Sequence, residues 1–327
     1  MTQTRQIHLV RRPNGKPVAA DFALVEVPLA DAGEDEIQVS GLIMSVDPYM
    51  RPRLDADQAL DEPLLGGGIG RVIQSRNPKF KEGDLVRHGA GFRETFVSNG
   101  KGVSRLQRDP DLPLSVYMHA LGGTGITAYG GLLETGALKD GEQVFISTAA
   151  GAVGSVAAQI AKIKGCYVVG STGSDDKAAW LRDEVGLDAV INYKTQDLAQ
   201  ALKDATPKGI DVYFENVGGA HLDAALPRMN VRGRIPVCGM ISTYNGGGEG
   251  VQNLFSLIYG RIRMEGFVAS DFAHLNAAFV VDMTEWLKSG QIKYQETVLD
   301  GFERAPEGLI GLFEGANSGK MLIHIAD

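Results

Sequence analysis

The feature that most constrains the fold is a regular spacing of strand-like runs through the middle of the chain. These apolar runs end near residues 147, 170, 192, 215 and 238, so successive ends are 23, 22, 23 and 23 residues apart. Apolar residues at helical spacing fill most of the intervals. Strands that alternate with helices in this way form a parallel sheet, because each crossover helix brings the chain back to the end of the sheet where the previous strand began. The pattern therefore predicts an α/β fold with a doubly wound parallel sheet.

The first of these strands leads directly into a turn of small residues. The stretch Val144–Gly154 reads V-F-I-S-T-A-A-G-A-V-G, and a helical pattern follows at once. Glycine lets the backbone approach a pyrophosphate closely, and a helix N-terminus offers N–H donors and the positive end of a dipole. The turn predicts a dinucleotide site. The alternative is a flavodoxin-like α/β domain that binds no dinucleotide.

The end of the second strand indicates which dinucleotide the site would take. An NAD-specific site places Asp or Glu there, about 20 residues after the glycine turn, to accept both ribose hydroxyls. This chain has G-S-T-G-S at residues 170–174 and then Lys177. Small hydroxyls and a cation can hold a 2′-phosphate, and no carboxylate at the strand end repels one. The residues favour NADP over NAD, although Lys177 alone is also explained as a solvated helix lysine.

The two ends of the chain differ from the middle because strand-like runs there are not separated by helical patterns. Short strand-like runs at residues 22–27, 36–44, 66–73 and 80–86 predict a small barrel-like β domain. Strand-like runs return at 292–295 and 320–325, in a tail too short to fold alone. A sixth parallel strand is expected at Met264–Val268 and a helix at Phe272–Lys288. We therefore predict a β-rich domain from residues 1–118 plus 290–327, with a nucleotide-binding domain at 119–289.

Composition and charge exclude several classes of function. The net charge is −8, and the basic residues form no concentrated face, which argues against a nucleic-acid partner. Two cysteines and six scattered histidines give no zinc-ligand pattern, so His119 and His221 are interpreted as packing or capping residues. The longest uncharged stretch, residues 112–133, contains Pro113 and five glycines. We expect no membrane span and a cytoplasmic location.

Nucleophilic catalysis is not indicated either. No Ser–His–Asp or Cys–His constellation can be picked from spacing alone. That absence suits a dehydrogenase, because hydride transfer belongs to the cofactor while the protein orients the substrate and stabilises developing negative charge.

Several longer motifs carry a family resemblance. They are V-D-P-Y-M-R at 46–51, G-I-T-A-Y at 125–129, A-A-G-A-V-G-S at 149–155, N-Y-K-T at 192–195, E-N-V-G-G at 215–219, C-G-M-I-S-T-Y-N at 238–245 and N-S-G-K at 317–320. Together they resemble the zinc-independent medium-chain dehydrogenase/reductases, specifically the prostaglandin reductase and alkenal double-bond reductase group. The resemblance implies an N-terminal, partly open GroES-like β barrel with an inserted Rossmann domain. It also implies NADPH-dependent reduction of the carbon–carbon double bond of α,β-unsaturated ketones and aldehydes.

The resemblance also implies roles for individual residues. The pyrophosphate would lie on the glycine turn, and Lys177 and Tyr193 would flank the 2′-phosphate. Asn216 would lie near the cofactor, although a turn-forming Asn is the alternative. The residues that would contact the cofactor are Thr127, Ala150, Gly151, Ala152, Val153, Gly154, Lys177, Tyr193, Asn216, Cys238, Tyr244, Phe267, Val268, Ala269 and Asn317.

For the reaction, the resemblance implies hydride transfer from nicotinamide C4 to the β carbon of the substrate. A ribose hydroxyl of the cofactor and Tyr259 would stabilise the enolate oxygen, because a tyrosine donates a hydrogen bond while neutral. Tyr259 is equally explained as a packing residue at a dimer edge, and Tyr49 as a substrate-wall residue or a packing residue. The resemblance implies a homodimer. An NADPH-dependent quinone oxidoreductase and a non-catalytic NADPH-binding protein remain as alternatives.

Three segments differ from the animal enzymes of that group. They are residues 54–66, residues 89–92 and the G-G-G-E-G loop at 246–250. We expect these segments to border the substrate cleft, so they leave the identity of the substrate open.

Overall fold

The structure is a computed structural model that describes residues 2–248 and 250–327. Glu249, in the glycine-rich loop at 246–250, lies outside the described residues. The chain forms two compact units, one from residues up to 118, 296–317 and 321–327, the other from residues 119–295 and 318–320.

These boundaries differ from the predicted ones at two places. Residues 290–295 and 318–320 belong to the second unit instead of the β-rich one. The reason is visible for Lys293, whose backbone N–H donates to Oε1 of Gln159 at 2.7 Å and whose carbonyl accepts from Nε2 of the same side chain at 2.8 Å. The predicted strand at 292–295 is wrong, because these hydrogen bonds hold the segment in an irregular conformation and a strand begins only at Glu296.

Strands dominate the first unit, and strands alternate with helices in the second. The strands are β1 Gln3–Leu9, β2 Phe22–Pro28, β3 Ile37–Ser45, β4 Glu62–Pro63, β5 Gly68–Ser75, β6 Leu85–His88, β7 Thr95–Ser98, β8 Val103–Arg105, β9 Gln143–Ile146, β10 Tyr167–Thr172, β11 Ala189–Asn192, β12 Ile210–Phe214, β13 Met229–Val237, β14 Arg263–Gly266, β15 Glu296–Asp300 and β16 Lys320–His324. The helices are α1 Met50–Ala56, α2 Gly123–Gly130, α3 Ala152–Ile163, α4 Asp175–Asp183, α5 Leu198–Ala205, α6 Gly219–Ala225, α7 Ser256–Gly260, α8 Asn276–Lys288 and α9 Ala305–Leu312.

The first unit contains two sheets. A three-stranded sheet has the order β2-β1-β4, and a seven-stranded sheet has the order β15-β16-β3-β5-β6-β8 with β7 paired to β3. Alternating inward residues of these strands bury a core that includes Ile7, Leu9 and Phe92, which α9 covers with Leu309.

The second unit is built on six parallel strands in the order β11-β10-β9-β12-β13-β14. Its central strands are apolar on both faces because helices cover both, and Phe145, Val169 and Tyr213 are fully buried. The predicted α/β fold with a doubly wound parallel sheet is confirmed.

Two predicted elements of this unit have different bounds. The sixth strand, expected at 264–268, is β14 at Arg263–Gly266, and the helix expected from Phe272 begins only at Asn276. A 3-10 segment, Ala269–Leu275, precedes that helix, and Phe272 has non-helical dihedral angles there. The Phe272 ring packs on Gly130, where an added methyl group would lie 2.2 Å from it. None of the described helices is long and apolar enough to cross a membrane.

Candidate functional site

The candidate site lies where the order of the parallel strands reverses. Strand β9 runs between β10 and β12, so the chain leaves β9 toward one side of the sheet and later returns to its other side. A crevice opens beyond the carboxyl ends of the strands at such a point, and α/β proteins bind ligands there.

The glycine turn occupies the carboxyl end of β9. Gly151 is the N-cap of α3 and has extended dihedral angles, while Thr148 has a left-handed φ of 52°. A methyl group at Gly154 would lie 2.3 Å from the Thr148 carbonyl oxygen and 3.0 Å from Cα of Ala149. The first turn of α3 therefore packs directly on the backbone of the preceding loop. Among the described residues, no side chain caps the N-terminus of α3, so its first N–H groups are available to an anion.

Two contacts within the same unit hold this turn in place. Gly319 donates its backbone N–H to the Ala150 carbonyl at 3.0 Å and pairs with Gly151 as a parallel bridge. His119 is fully buried, and its Nε2 lies 3.1 Å from the Ala152 carbonyl oxygen. The N-S-G-K motif thus supports the turn through its Gly319 backbone.

A network of polar groups joins the ends of β9 and β12. Asn216 donates its side-chain N–H to the Ser147 carbonyl at 2.7 Å and its backbone N–H to Ser147 Oγ at 2.9 Å. Oε1 of the buried Glu215 accepts from Ser147 Oγ at 3.0 Å and from the Val217 N–H at 2.6 Å. Burial raises the pKa of Glu215, which favours the neutral carboxylic acid. Asn216 is therefore rigidly placed at the crevice.

The next strand ends beside this network. Cys238, directly after β13, donates its backbone N–H to the Glu215 carbonyl at 2.8 Å. Burial, together with Glu215, raises the pKa of the Cys238 thiol to about 12, so the thiol stays protonated and is a poor nucleophile. The Tyr244 hydroxyl oxygen accepts from the Met240 N–H at 3.2 Å and would lie 3.0 Å from a methyl group at Gly239.

The predicted NADP-selective residues meet at the ends of β10 and β11. Ser174 caps α4 by accepting the Lys177 backbone N–H at 3.4 Å. The Tyr193 hydroxyl oxygen would lie 2.9 Å from a methyl group at Gly173, which places that ring over the loop between β10 and α4. Burial and then the nearby Lys194 lower the pKa of Lys177. A partly buried cation beside another cation is poised for an anionic group.

Four further residues predicted to contact the cofactor lie on two other segments of the unit. Phe267 follows β14, and its ring contacts those of Phe214 and Phe272 at centroid distances of 6.0 and 5.4 Å. Val268 is exposed, and Ala269 begins the 3-10 segment. Thr127 lies on α2, where its hydroxyl donates to the Gly123 carbonyl at 2.7 Å.

Tyr259 lies on the short helix α7, which packs against β13 and precedes β14 in the chain. Its side chain is 78% exposed, and the neighbouring Ile258 and Phe255 are 71% and 61% exposed. Strand β14 is an outer strand of the sheet, and all four of its residues are exposed. Tyr259, Ile258 and Phe255 therefore form an exposed apolar cluster on and just before α7, which is followed in the chain by an outer strand whose exposed residues include Arg263 and Glu265.

Two predicted residues belong to the first unit. Tyr49 directly precedes α1 and is 49% exposed, and desolvation followed by the charge of Asp47 raises its pKa to about 12. Its hydroxyl is a neutral donor at neutral pH. Asn317 directly precedes the segment 318–320 that supports the glycine turn. The roles of both residues stay predictions.

In the part of the chain that the structure describes, no three His, Cys, Asp or Glu side chains are grouped so that they could hold a metal ion. The described cysteines, Cys166 and Cys238, are both free thiols.

Comparison with known proteins places this fold and site in one class. Residues 5–106 match the family model described as "N-terminal domain of oxidoreductase", and residues 152–285 match "Zinc-binding dehydrogenase". The 2-alkenal reductase (NADP(+)-dependent) of Nicotiana tabacum is 43% identical, over 98% of this chain and 97% of its own. Prostaglandin reductase 1 of Mus musculus is 38% identical, over 99% of both chains. The crystal structure of CurA in complex with NADPH from Vibrio vulnificus has a TM-score of 0.93 and 39% identity, with 99% of both chains covered.

The fold and these matches define an NADP-dependent oxidoreductase of the medium-chain dehydrogenase/reductase class. Within that class, the chain belongs to the zinc-independent family that includes the alkenal, prostaglandin and curcumin reductases. The family resemblance predicted from the motifs is confirmed.

Sequence reasoning missed several residues that shape the site. Ser147, Glu215, Gly173 and Lys194 all lie inside or beside the motifs, yet spacing alone assigns none of them a role. For Ser147, Glu215 and Gly173 the available signal was a position directly after a parallel strand, because strand ends converge on one edge. Lys194 is the second residue after β11 and carries no such signal.

Proposed function

We propose that this protein is an NADPH-dependent reductase of the carbon–carbon double bond of small α,β-unsaturated ketones and aldehydes. The observation that carries the proposal is the combination of an NADP-type strand end at residues 170–177 with near full-length similarity to enzymes named for that reaction. Relatives named for an alkenal, a prostaglandin, curcumin and pulegone share this reaction type although their substrates differ in size.

The residues at the sheet edge fit the cofactor. The turn at Gly151–Gly154 would hold the pyrophosphate, because the N-terminus of α3 begins there and its first N–H groups can bind an anion. Lys177 and Tyr193 would hold the 2′-phosphate end, and Asn216, Cys238 and Tyr244 would line the crevice. When bound, NADPH supplies the hydride that adds to the β carbon of the substrate.

The protein's own task is then to stabilise the enolate oxygen while the α carbon takes a proton. Tyr259 is the proposed donor, because a phenol donates a hydrogen bond without ionising at neutral pH. An exposed phenol bonds to water as readily as to a substrate, so this role requires that the apolar surface around Tyr259 be covered. A second protomer would provide that cover, and we propose a homodimer in which β14 and α7 form the contact.

The test is a panel of acceptors with the purified protein. Enones, enals and quinones are each offered with NADPH, and loss of the reduced nicotinamide absorbance is followed. Turnover with enones or enals that exceeds turnover with quinones supports the proposal. Turnover with quinones alone would make the protein a quinone reductase, and NADPH binding without turnover would make it a non-catalytic binder.

The role of Tyr259 has its own variant. Tyr259→Phe should lower kcat for an enone about 10- to 100-fold, because one donor to the developing negative charge is lost. The solution mass should stay unchanged, because the ring remains. An unchanged kcat would contradict the catalytic role and indicate that Tyr259 is a packing residue.

A further inference from the structure

Lys194 shares the corner of the site that Lys177 and Tyr193 occupy. It follows Tyr193 after the end of β11, and its side chain turns back toward the end of β10. A methyl group at Gly173 would lie 3.2 Å from Cε of Lys194 and 2.9 Å from the Tyr193 hydroxyl oxygen. Both side chains therefore pass over the Gly173 backbone, two residues before α4 begins.

The loop that carries Lys194 is tied to the start of α4. Asn192 donates its side-chain N–H to Oδ1 of Asp175 at 2.7 Å, and its Oδ1 accepts the Lys194 backbone N–H at 3.1 Å. One asparagine side chain thus bridges the backbone of Lys194 to the first residue of α4. This bridge also engages one oxygen of the Asp175 carboxylate, in the first turn of the helix.

The arrangement brings two cations together at the N-terminal end of a helix. After burial, Lys194 is the next cause of the lowered pKa of Lys177, so the two ammonium groups repel each other. Bringing like charges together costs free energy, and an anion bound between them offsets that cost. A phosphate monoester carries nearly two negative charges at neutral pH, which matches two lysines.

We propose that Lys194 is a second cationic ligand of the 2′-phosphate and acts with Lys177 to select NADPH over NADH. The inference rests on the proposed cofactor site and extends it to a residue with no assigned role. NADH has a hydroxyl in place of the phosphate, so it leaves the repulsion between the two lysines in place.

The experiment measures binding, so it does not depend on which acceptor the enzyme reduces. NADPH, NADH and 2′,5′-ADP are titrated at one ionic strength into the wild type, Lys194→Gln, Lys194→Arg and Lys208→Gln. Lys208 is an exposed lysine of the same unit, outside the site, and serves as the control.

We expect Lys194→Gln to weaken NADPH and 2′,5′-ADP about tenfold and to change NADH less than about twofold, because one charge-assisted contact to the phosphate is lost. Lys194→Arg should keep most of the affinity, and Lys208→Gln all of it. Unchanged NADPH binding in Lys194→Gln, or an equal loss for NADPH and NADH, would overturn the inference.

A further variant, Lys177→Gln, separates the inference about Lys194 from the proposed NADPH-dependent function. If Lys177→Gln removes the preference for NADPH and Lys194→Gln does not, the inference fails and the proposed cofactor site stands. If Lys194→Gln loses affinity as expected but the wild type reduces no enone, the inference stands and the proposed reaction fails. A wild type with no preference for NADPH overturns both.

Discussion

At the scale of single residues, the site depends on groups whose surroundings leave no room for change. Gly154 is one such case, because the atoms nearest to an added methyl group are backbone atoms of Thr148 and Ala149. Backbone cannot turn aside as a flexible side chain does, so α3 would have to move away from the loop.

Gly154→Ala should therefore weaken NADPH binding by at least about tenfold and lower the free energy of unfolding by about 1–3 kcal/mol. Equilibrium titration and urea unfolding measure the two effects. Gly89→Ala is the matched control, because a methyl group there meets no atom within 4 Å and the backbone has no left-handed φ. NADPH binding by Gly154→Ala equal to that of the wild type would contradict the assignment of this turn.

A second residue-scale effect concerns pH. His221 is buried, its Nε2 lies 3.1 Å from Ser171 Oγ, and its ring packs edge-on against Tyr193. Burial lowers the pKa of His221 to about 4 from 6.5. The unfolded chain binds a proton to this residue between those values and the folded chain does not. Stability is therefore full above about pH 6.5 and falls as the pH drops toward 4.

His221→Gln cannot take up this proton, and its amide can still bond to Ser171. Between about pH 7.5 and pH 5, the free energy of unfolding should fall about 2 kcal/mol less in this variant than in the wild type. Urea unfolding at the two pH values measures the difference. Some acid sensitivity should remain in both proteins, because burial lowers the pKa of His88 to about 4 as well. Equal losses would show that His221 does not contribute.

At the scale of elements, one ion pair fixes β13 to the loop that precedes β9. Nη1 of Arg234 donates to Oε1 of Glu142 at 2.9 Å, and its other N–H groups reach the carbonyls of Gly136 and Ala137 at 2.9 and 3.0 Å. Both side chains are about 15% exposed or less. A pair this well buried, with its remaining donors satisfied, leaves an uncompensated charge when one partner is removed.

Arg234→Met should lower the free energy of unfolding by about 3 kcal/mol, and adding Glu142→Gln should restore part of the loss. Arg182→Met is the control, because Arg182 and its partner Asp183 are both about 60% exposed, and its effect should stay within about 0.5 kcal/mol. Equal effects of the two arginine substitutions would refute the argument from burial.

Some of these elements could be predicted from the sequence alone, and others could not. The parallel sheet is predictable because the intervals between strand ends are regular, and the Ser174 cap of α4 follows from a serine placed directly before two acidic residues. The irregular conformation of residues 292–295 is not predictable, because hydrogen bonds from the distant Gln159 determine it and no local pattern reports them. The bridge from Gly319 to the glycine turn, 168 positions apart in sequence, is likewise beyond local reasoning.

The candidate site is predictable only in part. The glycine turn and the missing acid at the strand end are local signals, and the sequence by itself is enough to point from them to NADP. Lys194 gives no such signal, since its approach to Gly173 depends on the pairing of β10 with β11 and on the Asn192 bridge. Contacts between side chains that separate strands bring together cannot be read from spacing alone.

At the scale of the whole molecule, the proposed homodimer can be tested on the exposed surface of α7 and β14. An outer strand flanked by exposed apolar residues tends to pair with another chain. The wild type should therefore have the mass of a dimer in light scattering, and Ile258→Asp should shift it toward the monomer. Val18→Asp, at an exposed apolar residue of the first unit, is the control and should leave the mass unchanged. A monomeric wild type would contradict the dimer.

The proposed reaction adds the hydride of NADPH to the β carbon of the enone, and isotope labelling shows which carbon receives it. NADPH that carries deuterium at both positions of C4 of the nicotinamide is incubated with the enzyme and a simple enone, and the product is examined by NMR. If the hydride adds to the β carbon, we expect a saturated ketone with deuterium on the carbon that was β to the carbonyl. Deuterium on the carbonyl carbon of an allylic alcohol would contradict it, because the enzyme would then reduce the carbonyl group instead of the double bond.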